Sequence, residues 1–165
     1  MKSIRSGDGV SRGRKALLEA LNAEGRHHST ATVLFHAALA TRLGLNPTDH
    51  KCVDLLLRTG PLSAGELAER TGLTTGAITG VVDRLERARW VRRGRDAKDR
   101  RRVIIEPLDD PKIARRVSRL FEPLVEAFAS LTAGYSDHDL GVILDFMRRS
   151  RVMLEGVSKR LRHLP

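Results

Sequence analysis

Apolar residues first recur at helical spacing near Ala16, through Leu17, Leu18 and Leu21, and again from Thr32 to Leu43 through Val33, Phe35 and Leu39. Gly25 and the pair His27–His28 weaken the middle, so the pattern predicts one bent helix or two in tandem. The stretch before it, MKSIRSGDGVSRGRK, is Gly/Ser-rich with five basic residues against Asp8, and reads as a mobile arm. LGLNPTDHK then restarts the helical pattern. Asn46 is a good N-cap, Pro47 suits the first helical position, and Asp49 favours the positive helix end. This helix is expected to run to about Arg58, with Val53, Leu56 and Leu57 inward, and to stop at Thr59-Gly60-Pro61.

Two short helices are predicted next, at about Ser63–Thr71 and Thr74–Ala88. In WVRRGRDAKDRRRVIIEP the ends Trp90–Arg93 and Arg102–Glu106 are rich in β-formers and Gly94–Asp99 holds turn residues, which predicts a hairpin. Helical periodicity returns in one long apolar stripe from Ile113 through Val117, Phe121, Leu124 and Phe128 to Leu131. After Gly134-Tyr135-Ser136 a last helix carries Leu140, Ile143, Leu144, Met147, Leu154, Val157 and Leu161. Ser136 with Asp139 three residues on is a variant capping box. The apolar faces of the two end regions are too extended for the small middle module to cover, so they call for a second copy of the chain.

Composition narrows the class. The 165 residues carry 30 Lys and Arg against 20 Asp and Glu, a formal charge of +10, and are 41% hydrophobic and 30% charged, as in globular chains. No apolar run approaches the roughly 18 residues of a membrane span, and Met1–Lys15 lacks the apolar core of a signal peptide. The lone Cys52 has no internal disulfide partner and suits a reducing cytoplasm. Only six aromatic residues are present, few for a module that stacks single-stranded bases. A basic, aromatic-poor chain points first to double-stranded DNA.

The most specific motif is SAGELAERTGLTTGAITGVVDRLERARW. A helix-turn-helix needs a small residue where its helices cross, a glycine at the left-handed turn and an apolar residue locking the second helix inward. Ala68, Gly72 and Ile78 meet those demands, with Leu67, Leu73, Val82 and Leu85 completing the core. Thr74 caps the second helix, leaving Thr75, Gly76, Thr79, Gly80 and Asp83 on its outer face. Two glycines there cost roughly 1 kcal/mol each, which close approach to a major groove would offset. Thr75 and Thr79 are then placed to meet base edges or thymine methyls. The hairpin that follows holds Arg92, Arg93, Arg95, Lys98, Arg100, Arg101 and Arg102 against Asp96 and Asp99, a net +5. As a wing, such a turn reaches phosphates or a narrow minor groove. Asp99 among these arginines would repel phosphate, so it is expected to act as a strut that orients Arg101.

From Leu43 to Pro107 the arrangement resembles the MarR family of bacterial transcriptional regulators, in LSAGELAERTGL, TTGAITGVVDRLERARWVRR and the wing signature DAKDRRRVIIEP. The family's Asp-x-Arg wing element falls on Asp99 and Arg101. Thr75 and Gly80 depart from the large polar or basic residues common at those positions. The resemblance implies a mainly α fold with a small β-hairpin wing: a winged helix-turn-helix core flanked by N- and C-terminal dimerisation helices. It also implies a homodimer on a pseudo-palindromic operator, usually a repressor, often released by a small aromatic or hydrophobic effector or by oxidation. The layout expected is an arm at 1–15, an N-terminal dimerisation region at 16–45, the DNA-binding domain at 46–107 and C-terminal dimerisation helices at 108–165. The DNA-binding set is Ser63, Thr74, Thr75, Thr79, Arg84, Arg93, Arg95, Lys98, Arg100 and Arg101. Phe35, His36, Cys52 and Phe121 are the candidate lining of an effector pocket.

Other readings are weaker. The six histidines show no i,i+4 pair and Cys52 has no second thiolate nearby, so no metal or other cofactor is expected. Cys52 as a redox switch is the alternative to a small core hydrophobe, and the core role is favoured. Gly-rich phosphate loops, metal-binding His-Glu pairs and nucleophile elbows are missing, which argues against an enzyme. A winged helix serving only as a protein-interaction module is the rival from another class, and the +5 wing argues against it.

Overall fold

The computed structural model describes residues 12–96, Asp99 and residues 102–162. The elements are α1 (Arg12–Leu43), α2 (Pro47–Thr59), β1 (Leu62–Ser63), α3 (Ala64–Thr71), α4 (Thr75–Arg87), β2 (Val91–Arg95), β3 (Val103–Pro107), α5 (Pro111–Thr132) and α6 (Asp137–Arg162). They fall into two compact units, Met1–Ile113 and Ala114–Pro165.

In the first unit α1 is one continuous helix of 32 residues that runs through Gly25, not two in tandem. A Cβ at Gly25 would meet nothing within 4 Å, so the glycine costs helix propensity and disturbs no packing. The helix starts at Arg12, which makes residues 12–15 of the expected arm helical; residues 1–11 lie outside the described part. Asn46 caps α2 as expected, its Oδ1 accepting the Asp49 N–H at 2.8 Å. The buried arc of α2 centres on Asp49, Cys52, Val53 and Leu56. Leu57, expected inward, lies past the edge of that arc and is 54% exposed.

The helix-turn-helix forms where the motif puts it. Gly72 ends α3 in the left-handed conformation (φ 77°), with its N–H on the Ala68 carbonyl at 2.9 Å. Ala68 is buried at the crossing, and Ile78 locks α4 inward among Leu56, Leu67, Val81, Val82 and Leu85. The chain leaves α4 through Arg89 (φ 61°), and the Trp90 N–H turns back to the Leu85 carbonyl. β2 runs further towards the tip than the β-formers suggest, taking in Gly94 and Arg95, while β3 begins one residue later than expected, at Val103. The sheet also has a third strand. β1 pairs antiparallel with β3, Leu62 opposite Ile105, giving the order β1-β3-β2. Two residues cannot show an alternating pattern, so β1 left no trace in the hydropathy.

The second unit holds most of α5, which continues through Pro123, and all of α6. Ser136 and Asp139 form the expected box, with the Ser136 hydroxyl donating to the carboxylate at 2.6 Å and accepting the Asp139 N–H at 3.2 Å. No residue of α5 or α6 is buried within the chain, and Val125, Phe128, Leu131, Phe146 and Leu161 stand open. No helix among the described residues is long and apolar enough to cross a membrane.

Ser63 is the N-cap of α3. Its Oγ accepts the Glu66 N–H at 3.3 Å and donates to Glu66 Oε2 at 2.7 Å, while its own N–H donates to Oε2 at 2.8 Å. These bonds, with help from Arg102, pull the Glu66 carboxyl down to about 2. Ser63→Ala should lower unfolding stability by about 1 kcal/mol in urea titrations. A carboxyl depressed in the folded state stabilises above its unfolded pKa. The Glu66 contribution should therefore hold at neutral pH and fade as pH falls from the ordinary value of 4.5 towards 2, and Glu66→Gln should remove that acid-side slope.

Candidate nucleic-acid interface

The outer face of α4 carries Thr75, Gly76, Thr79, Asp83 and Arg87, all exposed, with Gly80 half-buried. Thr74 accepts the Ala77 N–H at 3.2 Å and so serves as the helix cap. The Thr79 hydroxyl donates to the Thr75 carbonyl at 3.2 Å, so it presents lone pairs and a methyl group outward. A Cβ at Gly76 would meet nothing within 4 Å, and one at Gly80 would meet only the Arg84 guanidinium at 3.6 Å. Neither glycine is required by the packing of the chain itself.

The basic residues beside this helix divide into two groups. Arg93 is ion-paired with both Asp83 and Glu86 of α4, and its backbone N–H donates to Glu86 at 3.1 Å. Arg102 donates to Ser63 Oγ at 3.0 Å and pairs with Glu66 at 2.8 Å and Asp96 at 3.9 Å. Arg92 pairs across the hairpin with Glu106 at 2.8 Å. These three arginines fasten the wing to α3, to α4 and to itself. Arg95 differs: it is exposed at the outer end of β2 and has no ionic partner among the described residues. The tip turn is closed by the Arg102 N–H on the Asp99 carbonyl at 2.9 Å and the Asp96 N–H on the Arg102 carbonyl at 3.0 Å. Lys98, Arg100 and Arg101 lie outside the described residues, and with them the expected Asp99–Arg101 strut.

Four members of the expected DNA-binding set thus have internal work, Thr74 as the cap already described. Ser63 is a cap, Arg93 is held by two carboxylates, and Arg84 clasps Asp49 through Nε at 2.9 Å and Nη2 at 2.7 Å. Uniform counting of charge along the wing misses this, because the acids that neutralise it come from α3 and α4. Asp49 itself was readable only as a favourable charge at a helix start. Its partner is 35 residues away, and no local signal links them.

Of the candidate pocket residues, Phe35 and His36 lie on α1 and Cys52 on α2. Phe35 and His36 meet edge to face at 5.5 Å, and His36 lies 5.6 Å from the buried His50. Burial, then the neighbouring His36, lowers the His50 pKa and favours its neutral form. Cys52 is fully buried in the core of the first unit, and Phe121 belongs to the second unit.

A small residue, a left-handed glycine and an apolar lock between two helices, followed by an antiparallel wing, define a winged helix-turn-helix protein. A model of the MarR family matches residues 43–102. The chain is 44% identical over 137 residues to the HTH-type transcriptional regulator YcgE of Bacillus subtilis, across 83% of this chain and 88% of that one. Among solved structures, a MarR family protein from Bacillus stearothermophilus superposes with a TM-score of 0.66 at 24% identity, covering 85% of this chain and 96% of that one. Reduced AbfR bound to DNA shares the fold with a TM-score of 0.55 at 18% identity, over 88% and 99% of the two chains. The chain belongs to the MarR family and is a transcriptional regulator, not an enzyme.

Burial in the core, and the nearby Asp49 carboxylate, push the Cys52 thiol up to about 11. At neutral pH it is therefore a thiol with almost no thiolate to react. Iodoacetamide should label Cys52 in the folded protein far more slowly than in urea, as read by mass spectrometry. Cys52→Ser should leave the response of the protein to peroxide unchanged.

Proposed function

We propose that this chain represses transcription from the cytoplasm as a homodimer bound to a pseudo-palindromic duplex operator. In this reading α4 enters the major groove and the wing tip rests on phosphates or in the minor groove. The observation that carries it is the pairing of an open α4 face, Thr75-Gly76 and Thr79, with a wing whose inner arginines are neutralised and whose outer Arg95 is free of ionic partners among the described residues. AbfR, a structure of the same fold, was solved on DNA, which supports the reading.

The homodimer rests on the apolar residues left open on α1, α5 and α6, among them Leu17, Leu21, Val125, Phe128, Phe146 and Leu161. Exposed apolar stripes of this kind mark an interface, and a two-fold assembly would present two reading helices one turn, about 34 Å, apart. Deleting residues 150–165 should abolish operator binding and drive aggregation, as followed by light scattering and gel shift. A monodisperse, operator-binding monomer from that truncation would contradict the dimer.

Affinity and specificity should separate by element. Arg95→Ala should weaken binding to operator and scrambled duplex alike and flatten the dependence on log salt by up to about 0.9 per subunit. Thr79→Val should spare scrambled DNA and lower operator affinity by about 1–3 kcal/mol per half-site, the value of a base contact. Fluorescence anisotropy on both duplexes across a salt series measures the two effects. Equal losses on both duplexes for Thr79→Val, with an untouched slope for Arg95→Ala, would refute the assignment.

A further inference from the structure

The Arg84 guanidinium is held along one edge only. Its Nε and Nη2 donate to the two oxygens of Asp49, at 2.9 and 2.7 Å. Asp49 is 3% exposed, and its carboxylate also accepts from Asn46 Nδ2 at 2.8 Å. It lies in the first turn of α2, where the helix dipole favours an anion. The acceptor is therefore fixed from three directions. The Arg84 side chain, by contrast, is 45% exposed, and no acceptor among the described residues meets its Nη1. That nitrogen lies next to Gly80, 3.6 Å from where a Cβ would stand, on the same helix that presents Thr75, Gly76 and Thr79.

We propose that Asp49 is a positioning residue that fixes Arg84 as a rigid donor to a DNA backbone phosphate, an inference that rests on the DNA-binding reading above. A guanidinium offers donors on more than one edge, so it can hold a carboxylate with one and a phosphate oxygen with another. An arginine already immobilised loses little rotamer freedom when the phosphate arrives, whereas a free one loses much of it. The pair is neutral, so Asp49 adds nothing to long-range attraction. Its contribution is preorganisation of one contact, at the point where α4 is tied to α2.

The test exploits the opposite sign of charge and positioning. Asp49→Asn makes each chain one unit more positive, so attraction alone would tighten binding to any duplex. The proposal requires roughly tenfold weaker binding, the scale of one charge-assisted hydrogen bond, together with a shallower salt slope. Full-length protein would be titrated against a labelled mixed-sequence duplex by anisotropy across a salt series. Active fraction would be set by stoichiometric titration and folding by circular dichroism. A merely structural defect lowers the active fraction and leaves the slope alone.

Arg84→Lys keeps both the charge and a partner for the buried carboxylate but cannot make the fork, and should lose binding to a similar degree. It decides the question alone should Asp49→Asn fail to fold. The double variant should be no weaker than either single one, since all three remove the same contact. Parent-like or tighter binding by a folded single variant, or losses that add in the double variant, would overturn the role of Asp49. A parent that fails to bind the duplex at low salt would overturn the DNA-binding reading as well.

Discussion

A carboxylate buried at the start of α2 has to be paired, and the first unit is arranged around that requirement. The Asp49 carboxylate accepts from Asn46 Nδ2 and from the Arg84 fork, and its own N–H donates to the Asn46 side chain. Taking one partner from such a buried pair costs about 3–5 kcal/mol, because the remaining charge cannot recover its hydration. Arg84 is half open to water, which places this pair towards the low end. The ionic tie fixes α4 against α2 at one end of the helix, while Ile78 and Leu85 press it into the apolar core. Helix α4 is thus positioned by contacts on its inner side and, on its outer face, by the Asp83–Arg93 ion pair.

The same economy governs the wing. Acidic residues on the two helices of the helix-turn-helix, Glu66 on α3 and Asp83 and Glu86 on α4, neutralise Arg102 and Arg93 and so dock the hairpin. A hairpin of two five-residue strands has little apolar area of its own, and only Val91 and Ile105 of β2 and β3 reach the buried core. Ion pairs at its base compensate for that deficit, although half-exposed pairs are individually worth no more than about 1 kcal/mol. The result is a gradient of free charge, low where the wing meets the helices and higher at Arg95. A family member that binds duplex DNA in the proposed way would place its least compensated charge where phosphates or a minor groove come within reach.

Beyond Ile113 the logic reverses. Helix α6 starts at a well-formed cap, and both α5 and α6 carry apolar stripes but bury no residue within one chain. Stripes of this length are costly to leave in water at roughly 25 cal/mol per Å², so a regulator built this way is expected to complete its core with a second copy.

Local chemistry determined much of this protein directly. Caps are one-turn hydrogen bonds between near neighbours, and Asn46, Ser136 and Thr74 could be placed from spacing alone. The Ala68, Gly72 and Ile78 triplet was legible for the same reason, since a left-handed turn and a helix crossing impose residue types at fixed intervals. The continuity of α1 through Gly25, the strand β1 and the outward turn of Leu57 were not legible, because each depends on what packs alongside. Of the candidate DNA contacts, sequence identified the basic residues but not their employment. Charge is a property of composition, whereas pairing depends on which side chains the fold brings within about 4 Å, where Coulomb attraction outweighs the loss of side-chain freedom. Tertiary structure therefore decided that Arg84, Arg93 and Arg102 hold the helix-turn-helix and wing together and that Arg95 is left exposed.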